Sequence, residues 1–195
     1  MKKIIILSVL LSQSIFFMLL PIWIELTNYL HSLVIGVVWV LISTLVLFAV
    51  CWWKKEKIRL SKRILHVLML LYSIGLLILL FFRPKGQIYE SINLTPFDTI
   101  RFFLSGNVDF LIALYNLGAN IGLFIPFGLY YRYISKKPVL KKILIITICS
   151  ISTIEGLQFL TKRGSLDIDD LILNTLGVYI GYYIYPFFQK VLVIK

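Results

Sequence analysis

Glu155 and Gln158 stand three positions apart inside a largely apolar stretch that runs from about Ile143 to Leu160. An ionisable side chain in such a run is costly unless it is paired, protonated or open to a wet cavity, which makes Glu155 the leading candidate for chemistry. Asn116 and Asn120 are one helical turn apart in a second apolar stretch, and Asp170 and Asn174 repeat that spacing in a third. The short connection before the third stretch carries Lys162, Arg163, Asp167, Asp169 and Asp170. The forked guanidinium of Arg163 suits a phosphate or carboxylate ligand, or equally a salt bridge to Asp167. The aspartates suit the first turn of the helix that follows them, where at least one serves as a cap. Packing alone is the competing account of Glu155 and Gln158, with Asn120, Asn174 or Ser152 as hydrogen-bond partners.

Other chemistries find no support in the chain. It contains no phosphate-cradling Gly-rich loop with its lysine, no HExxH and no GxSxG, which removes nucleotide-driven, zinc-protease and serine-hydrolase readings. A few carboxylates without a recognised ligand spacing define no metal site, and no metal or cofactor is expected. Cys51 and Cys149 form no CxxC pair, and His31 and His66 fall near opposite interfaces, too far apart for a histidine cluster.

The elements that position these residues follow from composition. Of 195 residues, 59% are apolar and 15% charged, which excludes a small soluble globule. The apolar residues fall in blocks about as long as a bilayer is thick, roughly 20 residues each. Six such blocks are expected to span, at about Ile4 to Ile24, Leu30 to Trp53, Ile64 to Phe82, Leu111 to Ile134, Ile143 to Leu160 and Asp170 to Phe188. The fold class is therefore all-α, a polytopic integral membrane bundle of six transmembrane helices. It becomes five if the first block is cleaved as a signal, although that block is longer than a usual signal core. The segment from Arg83 to Phe110 mixes Gly, Pro and charge with scattered aromatics and is expected to lie on or dip into the outer interface. Residues 1–63 form an N-terminal hairpin with a basic loop, and residues 64–195 the core.

Charge sets the orientation. With both termini inside, 15 of the 20 Lys and Arg residues face inward, and only Arg83, Lys85, Arg101, Lys162 and Arg163 face outward. The net charge of +11 is then an anchoring device for anionic lipid, and no nucleic-acid partner is expected. In this arrangement Glu155 lies about 8 Å before the outer end of its span and Asn174 about 6 Å inside the next. Gly118 and Gly122, with Gly177 and Gly181, offer small surfaces for close helix approach, and Pro126 a site for a kink.

The ordered runs Asn93-Leu94-Thr95-Pro96-Phe97, Asn116 to Ile121, Phe124-Ile125-Pro126-Phe127-Gly128, Glu155 with Gln158 and Arg163, and Asp167 through Asp170 to Asn174, Gly177 and Gly181 together resemble the VanZ-like membrane family. The resemblance covers about residues 64 to 190, and the first two spans look like an added hairpin. It implies a protein of the bacterial cytoplasmic membrane, associated in some members with reduced susceptibility to teicoplanin-type glycopeptides. It further marks Asn93, Pro96, Asn116, Asn120, Glu155, Gln158, Arg163, Asp167, Asp170 and Asn174 as motif residues.

The expected function is an envelope factor whose outward polar pocket recognises a glycopeptide or a lipid-linked wall component. Its ligand-binding set is Asn93, Asn116, Asn120, Glu155, Gln158, Arg163, Asp167, Asp170 and Asn174. Two alternatives use the same carboxylate: an acid-base enzyme acting on a lipid-linked envelope substrate, with Arg163 orienting an anion, and a proton-coupled transporter. Membrane lipid is the constant partner, and a partner membrane protein or an oligomer is compatible with the chain.

Overall fold

The computed structural model describes residues 2–27, 33–81 and 92–195, so Arg83, Lys85, Glu90 and His31 lie outside the described residues. Those described residues are 79% helical and include four helices long and apolar enough to cross a membrane, consistent with an all-α membrane bundle. The order is α1 (Lys2–Met18), α2 (Leu20–Thr27), α3 (Leu33–Trp53), β1 (Ile58–Leu60), α4 (Lys62–Phe81), β2 (Ile92–Asn93), α5 (Asp98–Leu104), α6 (Phe110–Ile134), α7 (Leu140–Leu160), β3 (Leu166–Asp167), α8 (Ile168–Val191) and β4 (Leu192–Ile194). The four long spans are α4, α6, α7 and α8.

The first apolar block does not form one continuous helix. Pro21 has no N–H to give to the carbonyl a turn earlier, and the helix breaks at Leu19. The indole N–H of Trp23 reaches back across the break to the carbonyl of Phe16 at 3.1 Å. What remains of the straight first segment, α1, has 17 residues and covers about 26 Å, short of the roughly 30 Å hydrocarbon core. Within α3 the stretch Val38–Trp53 is a shorter apolar helix. Expected spans one and two are thus helical, the first with its break at Leu19, and expected spans three to six are the four helices that meet both length and apolarity among the described residues.

Two compact units make up the chain: residues 1–60 with 187–195, and residues 61–186. In the first unit α1 packs along α3, with Ser8 and Ser12 buried one turn apart. Two small parallel ladders also appear, which apolar patterning did not disclose. In the first unit β1 pairs with β4, so that Ile58 faces Leu192 and Leu60 faces Ile194. In the second unit β2 pairs with β3, setting Asn93 opposite Asp167.

The core of the second unit gathers Leu76 of α4, Phe124 and Tyr131 of α6, Ile143 and Ile151 of α7, and Val178 and Tyr182 of α8. Helices α6 and α8 touch backbone to backbone. A Cβ added at Gly177 would meet the Ile121 carbonyl, one at Gly181 the Ile125 carbonyl, and one at Gly128 the backbone of Val178 and Tyr182. The α8 half of the expected glycine interface is therefore present. Its α6 partner is Gly128 and not Gly118 or Gly122, which have nothing within 4 Å. Pro126 lies inside α6 without ending it. Both cysteines are free, Cys51 buried and Cys149 exposed, and His66 Nδ1 lies 2.7 Å from the Tyr130 hydroxyl.

Candidate functional site

The start of α8 carries three aspartates with different partners. Asp169 is fully buried and does not cap its own helix. Its carboxylate accepts the backbone N–H of Phe97 at 2.6 Å and of Ile100 at 3.1 Å, so it caps α5 from 72 residues away in sequence. Phe97 needs that help, since its φ of 68° is left-handed, a conformation that costs a non-glycine residue about 1–2 kcal/mol. Asp167, also buried, accepts the Thr99 hydroxyl at 2.6 Å and the Asp169 N–H at 2.9 Å. Asn93 completes the knot by donating to Thr99 Oγ1 at 3.0 Å and accepting the Thr95 N–H at 3.1 Å. Together with the β2–β3 pairing, these bonds bind the segment before α6 to the mouth of α8.

At the next residue of α8, Asp170 accepts the amide N–H of Asn120 of α6 at 2.6 Å, a pairing that spacing did not specify. Glu155 of α7 and Asn174 of α8 are both buried, each 7% exposed. Glu155 Oε1 and Asn174 Oδ1 have no hydrogen-bond partner among the described residues, and neither does the neighbouring Thr175 hydroxyl. Helix α7, which carries Glu155, packs against β3 at the start of α8. Packing alone offers Asn120, Asn174 or Ser152 as partners for Glu155 and Gln158. Asn120 instead serves Asp170, and Ser152 is exposed.

Other expected members go elsewhere. Gln158 is buried, but its amide donates to the Leu80 carbonyl at the end of α4 at 2.9 Å. Its backbone carbonyl accepts the N–H groups of Arg163 and Gly164, closing the end of α7. Asn116 donates to the Ile112 carbonyl of its own helix at 2.8 Å and is only half-buried. Arg163 is half-buried, and its guanidinium forms no ion pair with Asp167 among the described residues. Asp169, Thr99 and Thr175 are the polar residues absent from the expected set. The Asx and Ser/Thr types at the start of α8 signalled capping, but not which helix would be capped.

Both oxygens of Asp167 and both of Asp169 are taken by donors, and among the described residues no group of three or more His, Cys, Asp or Glu side chains is arranged to hold a metal ion. Around the knot the apolar side chains Ile92, Leu94, Phe97, Phe102 and Leu104 are exposed. The arrangement can therefore offer unfilled acceptors beneath a fixed polar mouth with an apolar rim.

The VanZ/LLP1 family matches residues 68–189, a stretch that begins in α4 and ends near the last turn of α8. Protein VanZ of Enterococcus faecium is 32% identical over 131 residues, covering 63% of this chain and 74% of that protein. No solved structure gives a significant match. The α8 mouth, its Asp167 to Asp170 knot and the buried Glu155 all fall inside the matched stretch, and the chain belongs to the VanZ/LLP1 family.

Proposed function

We propose that this protein is a VanZ-like envelope factor of the bacterial cytoplasmic membrane that recognises an amphiphilic molecule at the outer mouth of α6, α7 and α8 and lowers susceptibility to teicoplanin-type antibiotics. The ligand is a glycopeptide or a lipid-linked wall component. The observation that carries the proposal is the pair of buried, unpartnered acceptors, Glu155 Oε1 and Asn174 Oδ1. Leaving such a group without a donor costs about 1–3 kcal/mol, more when it is charged, and a ligand that brings hydroxyl, amide or ammonium donors removes that cost. Asn120, Asp170 and Arg163 then line the polar part of the contact, while the exposed apolar side chains of residues 92–104 meet the apolar part.

The fuller topology belongs to the same proposal: six spans, both termini inside, with the added N-terminal hairpin preceding the core. It is supported by the 15 to 5 division of basic residues and by the β1–β4 ladder, which keeps the C-terminal strand beside the basic stretch after α3. A membrane-protein partner or a second copy is compatible with it.

Purified full-length protein is to be titrated with teicoplanin and with a lipid-linked wall precursor, alongside Glu155→Gln and the double variant Glu155→Gln with Arg163→Ala. The expected result is about a tenfold or greater loss of affinity, the worth of one charge-assisted hydrogen bond. Binding unchanged in the double variant removes the site assignment. Product formation from the precursor would favour the acid-base enzyme, and proton-dependent flux in liposomes the transporter.

A further inference from the structure

At the other end of α6, far from Glu155 along the helices, a second unsatisfied polar group is held by aromatic rings. Arg132 lies in the last turn of α6, and its Cζ sits 4.6 Å from the ring centroid of Tyr182 and 4.8 Å from that of Tyr185 on α8. The rings are themselves fixed. The Tyr182 hydroxyl donates to the Pro138 carbonyl at 3.1 Å, and Tyr185 meets Tyr133 edge-on with centroids 4.8 Å apart. Beside them the Tyr131 hydroxyl accepts the Val139 N–H at 3.2 Å, which pins the turn into α7.

Aromatic faces attract a guanidinium but accept none of its in-plane N–H groups well, and Arg132 Nε is buried without a hydrogen-bond partner. No acidic residue occurs in residues 129–142 or 177–191, the two stretches that build this corner. The surroundings add positive charge instead. Lys136, Lys137, Lys141 and Lys142 are exposed around it, and α7 begins at Leu140 with no side-chain cap and no acidic residue in its first turn. The positive end of the α7 dipole reinforces the lysines.

We propose that Arg132, held against the rings of Tyr182 and Tyr185, is a specific binding site for the phosphate of an anionic membrane phospholipid. The last turn of a spanning helix lies at headgroup depth, where tyrosines also collect. A planar fork that is always charged suits a phosphodiester in two-point contact. The exposed lysines draw the anionic headgroup in, and Arg132 selects it. This site is independent of the one proposed for the amphiphile, and neither stands or falls with the other.

Native mass spectrometry of the purified full chain decides the matter, with phosphatidylglycerol, phosphatidylcholine and inorganic phosphate as probes. Phosphatidylcholine carries the same phosphate with its charge balanced by choline. Phosphatidylglycerol is expected to be retained preferentially, and Arg132→Gln to weaken its retention about tenfold. Arg132→Lys keeps the cation over the rings but loses the fork, and is expected to fall between the two. Lys136→Gln with Lys137→Gln is expected to have a smaller effect that vanishes at high salt. Equal retention of the two lipids, or a preference that survives Arg132→Gln, overturns the proposal. Binding of inorganic phosphate without any lipid preference overturns the lipid assignment in favour of a soluble anion. Where Arg132→Gln does not fold, Arg132→Lys decides, because unaltered phosphatidylglycerol retention in that variant contradicts a forked contact.

Discussion

Two buried carboxylates of the second unit, Asp169 and Glu155, illustrate opposite uses of the same chemistry. Each oxygen of Asp169 holds a backbone N–H of α5, whereas Glu155 leaves Oε1 without a donor. Substituting them is expected to separate stability from binding. Asp169→Asn turns an amide NH2 toward Phe97 or Ile100 and removes the charge that both N–H groups use, so it is expected to cost about 2 kcal/mol, read as a lowered midpoint in denaturant titration of the detergent-solubilised protein. Glu155→Gln is nearly isosteric and breaks no hydrogen bond that Oε1 makes, so its midpoint is expected to stay within about 0.5 kcal/mol of the parent while ligand affinity falls. Equal destabilisation by the two substitutions would make Glu155 a structural residue. The cost of burying Glu155 was legible from an acid inside an apolar run, since it depends on its own neighbours in the chain. The role of Asp169 was not, because a cap on α5 depends on a chain reversal spanning 72 residues.

At the scale of elements, the contact of α6 with α8 rests on three glycines, Gly128, Gly177 and Gly181, whose missing Cβ atoms let the backbones touch. Without a hydrophobic drive between helices in lipid, such close packing is a main source of association. Gly177→Ala or Gly181→Ala is expected to destabilise the protein by about 1–3 kcal/mol, because the added methyl meets a carbonyl oxygen that cannot move without displacing its helix. Gly118→Ala and Gly122→Ala serve as the control. Both sites are open, and the helix propensity of alanine favours them slightly, by at most about 1 kcal/mol each. A uniform loss of stability across all four variants would contradict the packing described. Spacing alone could not choose between these glycines, because Gly118 with Gly122 shows the same four-residue interval as Gly177 with Gly181.

For the whole molecule, the topology can be tested by membrane-impermeant thiol labelling in cells, with Cys51 and Cys149 replaced. Asn107→Cys is expected to react in intact cells, and Lys137→Cys only after permeabilisation. Labelling of both positions in intact cells contradicts the proposed orientation. The β1–β4 ladder adds a second test of the first unit. Val193→Pro removes an N–H at the centre of the C-terminal strand and is expected to raise proteolysis near residues 54–60 while leaving teicoplanin binding within about twofold.

The sequence by itself determined the four long spans, predicted at 64–82, 111–134, 143–160 and 170–188 and found at Lys62–Phe81, Phe110–Ile134, Leu140–Leu160 and Ile168–Val191. Run length, hydropathy and terminal charge are local quantities, and a bilayer converts them directly into helices. The same local criterion did not register the break in the first block, where Pro21 interrupts the helix. Tertiary structure alone decided which donor met which acceptor: Asn120 with Asp170, Gln158 with Leu80, Asn116 with its own helix and Asp169 with α5. Those choices depend on helix rotation and on where distant segments return. A hydrogen bond reaches only about 3 Å, so a modest rotation of one helix assigns every polar side chain a different partner.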